Sequence, residues 1–284
     1  MDVKVLLEFM KKAGKIAVKN QTEVLSATNV CKSDYVGDVV TKTDLAIGKL
    51  FERFCEKNFR HLDYFIVDEE TVKKVKGDIF ERISQTEWVF VIDPIDGTLP
   101  YATGFPLYGI SVGVLKYGKP YAGMLYAPAL GELLYATNQQ VFSIKNAFTK
   151  KETEVEVKPD ADAKMSAKRP FLLYDSWRIE FNEQANPLED MPLNLYPSVV
   201  QLIYLATLPA RGYYTLVALW DNAGAWKALD LLGIKIMDYD TGEIMDEVTS
   251  KFYTEELRDK NLRIICRPED FAYLKKITIK NSRL

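Results

Sequence analysis

The 284-residue sequence has one histidine, His61, and three widely spaced cysteines, Cys31, Cys55 and Cys266. A single histidine, expected at the surface, excludes any metal site that needs two imidazoles, and the cysteines lack zinc-finger spacing. An odd number of dispersed cysteines indicates reduced thiols, as in a cytoplasmic protein. If the protein binds a metal ion, its ligands are therefore carboxylates, which favours Mg²⁺ or Mn²⁺ over Zn²⁺ or Cu²⁺.

Long apolar runs and an excess of one charge are also missing. No segment approaches the roughly 20 apolar residues that cross a bilayer, so we expect no membrane-spanning helix. The formal net charge of −3 gives no electrostatic reason to expect a nucleic-acid polymer or an acidic membrane as a partner. The first residues mix charged and apolar side chains, which predicts an amphipathic helix and not a signal peptide.

The stretch Trp88-Val-Phe-Val-Ile-Asp93-Pro-Ile-Asp96-Gly97-Thr98 carries the most information about function. Its apolar, β-branched start predicts a buried strand that ends at an aspartate, where proline stops the ladder and Gly-Thr opens a turn. Two carboxylates this close repel each other and are costly to bury. A hard cation removes both penalties, and the N–H groups of the turn can bind phosphate. The stretch therefore predicts a metal-dependent phosphatase.

Two other interpretations of this stretch compete with that of a metal-dependent phosphatase. An Asp-x-x-Asp pair near a turn is commonly a solvated loop with capping carboxylates. Alternatively, the residues from Asp96 to Leu99 match the second half of the Asp-x-Asp-Gly-Thr-Leu loop of aspartyl-phosphate phosphatases. That loop has its nucleophile at the position of Pro94, and Asp93, one residue upstream, points to the opposite face of a strand. The apolar strand disfavours the first interpretation, and Pro94 disfavours the second.

Three more acidic sites lie where an apolar segment gives way to a turn or a helix. Asp44 precedes a predicted helix, Glu69 follows the strand-like Tyr-Phe-Ile-Val-Asp, and Asp221 follows Leu-Val-Ala-Leu-Trp. Each alone is also explained as a helix N-cap or a solvated loop end. Together with the aspartate pair, they predict a multi-metal phosphoryl-transfer site in which Thr98 and Asp44 orient the attacking water.

With these motifs, the chain resembles the inositol monophosphatase superfamily of Mg²⁺-dependent, lithium-sensitive phosphomonoesterases. One family signature is Asp-Pro-Ile-Asp-Gly-Thr preceded by a tryptophan, which is present from Trp88 to Thr98. A second, Trp-Asp-x-Ala-x-Gly-like signature corresponds to Trp220-Asp-Asn-Ala-Gly-Ala. The family's Glu-Glu-Ser and Thr-x-x-Asp elements correspond to Glu69-Glu-Thr and to the Thr-Lys-Thr-Asp that ends at Asp44.

The resemblance implies a fold and an assembly. The fold is α+β, a layered αβαβα arrangement like that of sugar phosphatases, and the protein is a homodimer. Residues 1–150 form a half with a large antiparallel sheet, residues 151–284 form an α/β half, and the site lies between them. Hydrophobic periodicity predicts helices at 2–28, 43–59, 198–208 and 222–232, and strands at 64–67, 108–117, 121–126, 132–137, 214–219, 235–239 and 263–266.

The resemblance also implies the ligands of two or three Mg²⁺ ions, for which Mn²⁺ can substitute. The first ion takes ligands from two carboxylates and one backbone carbonyl, namely Glu69, Asp93 and Ile95. The second is bound by Asp93, Asp96 and Asp221. A loosely held third ion is bound by Glu69 and water.

Further family roles fall on the nucleophile and the phosphate. Asp44 and Thr98 activate the attacking water, and Glu69 belongs to the same catalytic group. The N–H groups of Gly97 and Thr98 hold the phosphate at a helix N-terminus. Lys32 matches a family lysine near the metals, although it is equally explained as a surface lysine.

The substrate is the least determined feature. The default is a phosphate monoester of a small polyol or sugar, as for inositol-1-monophosphatase; fructose 1,6-bisphosphate, 3′-phosphoadenosine 5′-phosphate and a non-catalytic binding role are the alternatives. Leu99-Pro-Tyr replaces the family's Thr-Asn-Phe, and Thr215 is neutral where inositol enzymes carry an acidic residue. The basic residues that could bind a second phosphate are Lys168, Arg169, Arg178 and Arg211.

Overall fold

A computed structural model of the chain describes residues 2–26, 42–75, 77–159, 171–175, 179–182, 184 and 190–280. Within these ranges no helix combines the length and the apolarity that crossing a bilayer requires. A 3₁₀ turn at Val3–Val5 precedes the first α-helix. The α-helices are α1 (Leu6–Ser26), α2 (Lys42–Phe59), α3 (Glu69–Val72), α4 (Ile79–Gln85), α5 (Thr98–Ala102), α6 (Ser198–Thr207), α7 (Leu219–Leu231) and α8 (Pro268–Ile277).

The first sheet has seven strands in sequence order. Its first two strands are parallel, and every later neighbour is antiparallel. Antiparallel neighbours can be joined by short turns, which agrees with the closely spaced strands predicted from residue 108 onwards, a meander. The strands are β1 (Tyr64–Val67), β2 (Trp88–Asp96), β3 (Gly109–Lys116), β4 (Lys119–Ala127), β5 (Glu132–Ala136), β6 (Val141–Lys145) and β7 (Thr153–Val157).

The second sheet is mixed. It contains β8 (Phe171–Tyr174), β10 (Met191–Leu193), β11 (Ala210–Thr215), β12 (Lys235–Asp238) and β13 (Arg263–Cys266), in the order β10-β8-β11-β13-β12. The strand β8 is parallel to both of its neighbours, whereas β13 is antiparallel to β11 and β12. A separate antiparallel pair joins β9 (Ile179–Phe181) to β14 (Thr278–Lys280).

Alternating side chains on the strands separate the core into layers. In β2, Phe90 and Ile92 pack with α1 and α2, whereas Val89 and Val91 pack with α6, α7 and the second sheet. The far face of the second sheet packs against α8. Because both faces of β2 are covered, its sequence is almost continuously apolar. The order is helix, sheet, helix, sheet, helix, which confirms the α+β, αβαβα prediction.

The helix α7 lies unusually close to the first sheet. A Cβ atom added to Gly113 of β3 would be 2.5 Å from the Cβ of Ala223, and one added to Gly123 of β4 would be 2.4 Å from the carbonyl oxygen of Gly224. Real Cβ atoms do not approach other atoms so closely, so only glycine allows this contact. The glycines therefore fix the depth at which α7 packs on the sheet.

Some predicted boundaries were wrong. The strand predicted at 214–219 spans Ala210–Thr215, and the helix predicted from residue 222 begins at Leu219. The strand Thr153–Val157 pairs with β6, so the first sheet continues beyond residue 150. This edge strand is mostly exposed, and its alternating Glu and Val residues form no apolar run from which a strand could be predicted.

We expect Gly123→Ala to lower the free energy of unfolding by about 1–3 kcal/mol, the usual cost of overpacking, because α7 must move away from the sheet. Gly48→Ala in α2 is the matched control, since a Cβ added there meets no atom within 4 Å. That variant should gain about 0.5–1 kcal/mol, as glycine weakens a helix interior. Chemical denaturation measures both changes, and equal stabilities would contradict the close packing.

Candidate active site

The strand β2 changes register where the two aspartates lie. It pairs regularly with β3 up to Asp93, opposite Ser111, and the register then shifts before Asp96, which lies opposite Gly109. In a regular strand, residues three apart point to opposite faces. An irregularity around Pro94, which has no N–H to donate, allows both carboxylates to point into one cluster. The strand therefore continues past Pro94, where the sequence predicted its end.

The third member of the cluster comes from α7. Asp221 lies in the first turn of this helix and not directly after a strand, and its Oδ2 accepts the Ala218 N–H at 2.8 Å. The Ser111 hydroxyl of β3 donates to the Trp220 carbonyl at 2.8 Å, which holds the helix start over the sheet. One carboxylate oxygen from each of three residues lies within 4.8 Å of the others: Asp93, Asp96 and Asp221.

Burial is the largest cause that raises the pKa of all three carboxyls. The charges of Asp221, Asp96 and Asp44 raise the pKa of Asp93 further, to well above its usual range. The Ala218 N–H and the charge of Arg258 oppose the rise in the pKa of Asp221. A buried group of this kind either keeps protons or binds a cation. The donor set fits a hard divalent ion, because all three ligands are anionic oxygens.

Asp96 joins the cluster to the second half of the chain. Its Oδ2 accepts the Val199 N–H at 2.5 Å, at the first turn of α6. A carboxylate is favourable there because the first N–H groups of a helix have no partner within the helix. The next residue, Gly97, has φ +83°, and an added Cβ would be 2.8 Å from Cγ of Pro197. The turn after Asp96 therefore packs directly against the start of α6.

Thr98 begins α5 beside the cluster. Its hydroxyl donates to the Ile95 carbonyl at 3.1 Å, and the Ile95 N–H donates to Asp93 Oδ1 at 3.0 Å. These bonds hold the Thr98 hydroxyl oxygen and the Ile95 carbonyl close to Asp93. The resemblance assigns this carbonyl to a metal ion. Gly97 and Thr98 form the predicted turn at the N-terminal end of α5.

The altered residues after Thr98 attach α5 to the N-terminal helices. The Tyr101 hydroxyl is buried and bonds to the Ala17 carbonyl at 2.8 Å and to the Thr43 hydroxyl at 3.1 Å. Thr43 precedes Asp44 in the first turn of α2, so this contact places Asp44 relative to α5. Asp44 lines the same cleft as the aspartate cluster.

Glu69 begins α3 on another side of the cleft. Asp68 caps this helix by accepting the N–H groups of Glu70 and Thr71, at 2.9 and 2.6 Å, which fixes the residue that follows. The Glu69 side chain is 44% exposed, with Lys73 Nζ at 3.4 Å and Arg258 Nη2 at 3.6 Å from its Oε1. A predicted metal ligand is thus already paired with two cations.

The cleft has a volume of about 540 Å³, and both halves of the chain line it. Three basic side chains, Lys49, Lys74 and Arg258, line it with Tyr196, which is 50% exposed and has φ +67°. Carboxylates outnumber these basic groups, so two divalent ions would nearly balance the charge. The lining carboxylates are Asp44, Glu52, Asp68, Glu69, Glu70, Asp93, Asp96 and Asp221.

Other predicted residues have different outcomes. Lys32, Lys168, Arg169 and Arg178 lie outside the described residues, as does Cys31. Arg211 is paired with Asp190 and Asp270 at 3.0 and 3.4 Å, and does not line the cleft. Thr215 is buried and donates to Asp175 Oδ2 at 2.7 Å. His61 is exposed, as predicted, while Cys55 and Cys266 are free and buried.

Sequence reasoning missed Arg258 and Tyr196 as residues of the cleft. Arg258 lies in a polar segment with several charged neighbours, which gives it no distinguishing pattern. Tyr196 precedes a proline, and its left-handed backbone is not encoded by a glycine or an asparagine. Only the packing of the two halves brings these side chains to the carboxylates.

Comparisons with known proteins agree with this geometry. A sequence profile described as the inositol monophosphatase family matches residues 2–268. The Nus factor SuhB of Haemophilus influenzae is 23% identical over 237 residues, which are 82% of this chain and 83% of that protein. Alignments with some other relatives cover less than half of this chain.

Solved structures show the same fold. A Ca-bound IMPase family protein from Staphylococcus aureus matches with a TM-score of 0.71 and 15% identity, over 99% of this chain and 97% of that one. An IMPase/NADP phosphatase complexed with Mg²⁺ and phosphate matches with a TM-score of 0.67 and 15% identity, over 95% and 94% of the two chains. The profile covers nearly the whole sequence, and the chain belongs to the inositol monophosphatase family.

Proposed function

We propose that the protein is an Mg²⁺-dependent hydrolase of phosphate monoesters, acting on a small phosphorylated polyol or sugar. The observation that carries this proposal is the convergence of Asp93, Asp96 and Asp221 within 4.8 Å, beside the Thr98 turn. Asp96 is buried and the other two are half-buried, and three carboxylates at this separation are unfavourable without a cation. Family membership supports the same chemistry.

The residues present fit the metal set implied by the family. Asp93, Asp96 and Asp221 would hold one ion, and Glu69, Asp93 and the Ile95 carbonyl would hold a second. Oxygen ligands alone suit Mg²⁺, with Mn²⁺ as a substitute, and the single histidine is exposed on the surface. Such ions make bound water a nucleophile at neutral pH and stabilise charge on the phosphoryl oxygens.

The protein groups would position the water and the phosphate. Because the Thr98 hydroxyl donates to the Ile95 carbonyl, its oxygen lone pairs are directed to accept a hydrogen bond from water. Asp44, in the first turn of α2, would take the proton. The N–H groups of Gly97 and Thr98 would hold the phosphate, with Lys32 as a further candidate. The water oxygen bonds to phosphorus, the bond from phosphorus to the alcohol oxygen breaks, and the alcohol leaves with a proton.

We expect the residues that recognise the leaving alcohol to differ from those of the inositol enzymes. Thr215, at the position compared with their acidic residue, is buried against Asp175 and does not line the cleft. The half-exposed Tyr196 lines the cleft instead. Fructose 1,6-bisphosphate and 3′-phosphoadenosine 5′-phosphate remain the alternative substrates, and a related fold is that of an IMPase/NADP phosphatase. A phosphate-release screen over phosphorylated sugars, polyols and nucleotides would rank these substrates.

We expect hydrolysis to require Mg²⁺ or Mn²⁺ and to stop when a chelator is added. Asp93→Asn and Asp221→Asn should abolish it, because each removes an anionic ligand. Asp93→Asn should also stabilise the metal-free protein, by roughly 0.5–2 kcal/mol, because it relieves repulsion at a functional site. Thermal unfolding with and without Mg²⁺ measures this second effect.

Lys116→Gln, at a surface pair far from the cleft, is a control that should change neither activity nor the effect of Mg²⁺ on stability. Full hydrolysis by metal-stripped protein would refute metal dependence. Lithium sensitivity, which the family resemblance implies, can be measured in the same assay, and its absence would leave the metal mechanism intact.

We expect Thr98→Ala and Asp44→Asn each to lower kcat by about 10²–10⁴-fold, the usual contribution of a positioned general base. KM should change little, because the other groups that bind phosphate remain. Thr103→Ala, in the residue that caps the far end of α5, is the matched control and should retain activity.

Stereochemistry at phosphorus tests the same mechanism independently. Direct attack by water inverts a chiral phosphate, whereas an aspartyl-phosphate intermediate requires two displacements and net retention. A trapped phosphate adduct on Asp93 or Asp96 would show that the rival mechanism is correct, because direct attack by water forms no covalent phosphoenzyme.

A further inference from the structure

The segment that carries Arg258 is fixed against the start of α7. Residues 257–259 pair antiparallel with residues 217–219 through two main-chain hydrogen bonds of 2.8 Å, and Arg258 lies opposite Ala218. The Asp259 carboxylate accepts a further hydrogen bond from the Val217 N–H, at 3.1 Å. Because Asp221 lies three residues beyond Ala218, the main chain of Arg258 has a set position relative to this carboxylate.

The preceding residue, Leu257, has a strained backbone that the surrounding structure holds in place. Its φ is +55°, in the left-handed region, and its side chain is fully buried. Leucine rarely adopts this conformation, and such strain is retained mainly where the surrounding structure imposes it, often at functional sites. The Thr254 N–H donates to the Arg258 carbonyl at 2.8 Å and closes the hairpin.

The Arg258 side chain reaches the carboxylates of the cleft. Its Nη2 is 3.6 Å from Glu69 Oε1, and its guanidinium carbon is 5.8 Å from the centroid of the Trp220 ring. Its positive charge opposes the rise in the pKa of Asp221. The guanidinium therefore lies beside Glu69, the residue that the resemblance assigns to a loose third metal ion.

We propose that the Arg258 guanidinium takes the place of a third metal ion beside Glu69, so that Glu69 helps to bind one metal ion and not two. The proposal rests on the proposed function and concerns how many ions that site holds. A guanidinium remains protonated at any pH at which the protein is folded. It therefore acts as a permanent cation beside Glu69.

Simple electrostatics supports this exclusion of a third ion. A divalent ion about 5 Å from a unit positive charge is disfavoured about tenfold, even with the dielectric constant of water. The resemblance implies that the third ion is only loosely held, so a tenfold loss of affinity acts on the ion that is most easily displaced. In its place, the planar guanidinium can donate two parallel hydrogen bonds to oxygens of the transferring phosphoryl group.

The number of bound ions tests the proposal directly. Equilibrium dialysis with Mn²⁺ would count ions on the full-length wild type and on Arg258→Gln, Arg258→Lys and Arg60→Gln. We expect Arg258→Gln to bind one ion more than the wild type, because the guanidinium no longer repels an ion on the cleft side of Glu69. Lys73, which is 3.4 Å from the same Glu69 oxygen but is not among the residues that line the cleft, is present in every variant. Arg258→Lys keeps the charge and should match the wild type. Arg60 is exposed just beyond α2 and does not line the cleft, so Arg60→Gln is the matched control.

Turnover gives a second readout that a purely structural role would not change. The kcat of Arg258→Gln should fall about 10–100-fold at low Mg²⁺ and recover as Mg²⁺ is raised, since the added ion replaces the lost charge. The main-chain bonds of the loop do not depend on the side chain, and circular dichroism would verify that the variant is folded.

Equal numbers of ions on the wild type and on Arg258→Gln would overturn the proposal, whatever the activity. An additional ion on Arg258→Lys would also overturn it, because the charge is then not what excludes the ion. If no phosphate monoester is hydrolysed by any variant, the proposed function fails, while the ion counts still decide the role of Arg258.

Discussion

The mutual repulsion of Asp93, Asp96 and Asp221 is the constraint on which the rest of the site depends. Carboxylates that lie within 4.8 Å of one another, one of them buried and two half-buried, would separate if their backbones could move. The fold prevents this by packing the segments that carry the three aspartates against one another. Glycine contacts hold α7 on the sheet, Ser111 holds the Trp220 carbonyl, and the first turn of α6 holds Asp96.

The central helical layer explains why both halves of the chain are required. The helices α6 and α7 lie between the two sheets and share one core with both. Each helix also directs its N-terminal end to the cluster: α6 donates an N–H to Asp96, and α7 contributes Asp221 from its first turn. The same packing that completes the hydrophobic core therefore assembles the charges, so a metal ion bound by these carboxylates would also stabilise the fold.

Most of the fold was predictable because both faces of the central strands are buried. The apolar run of β2, the meander and the amphipathic helices α1 and α2 follow directly from periodicity. Two errors have local physical causes. The loop between β11 and α7 was predicted as strand because its residues are apolar, although it continues no strand of the sheet. β7 was missed because an exposed edge strand needs no apolar face.

The chemical groups available to the site follow from the amino-acid sequence alone. One histidine, abundant carboxylates and the Asp93-Pro-Ile-Asp-Gly-Thr turn were enough to predict an oxygen-ligated metal and a phosphate, because ligand chemistry depends on residue type. The tertiary structure decided which groups meet. The register shift at Pro94, the burial of Thr215 against Asp175 and the approach of Arg258 to Glu69 all depend on contacts between segments far apart in the chain. Local sequence does not encode such distances, since packing of the two halves sets them.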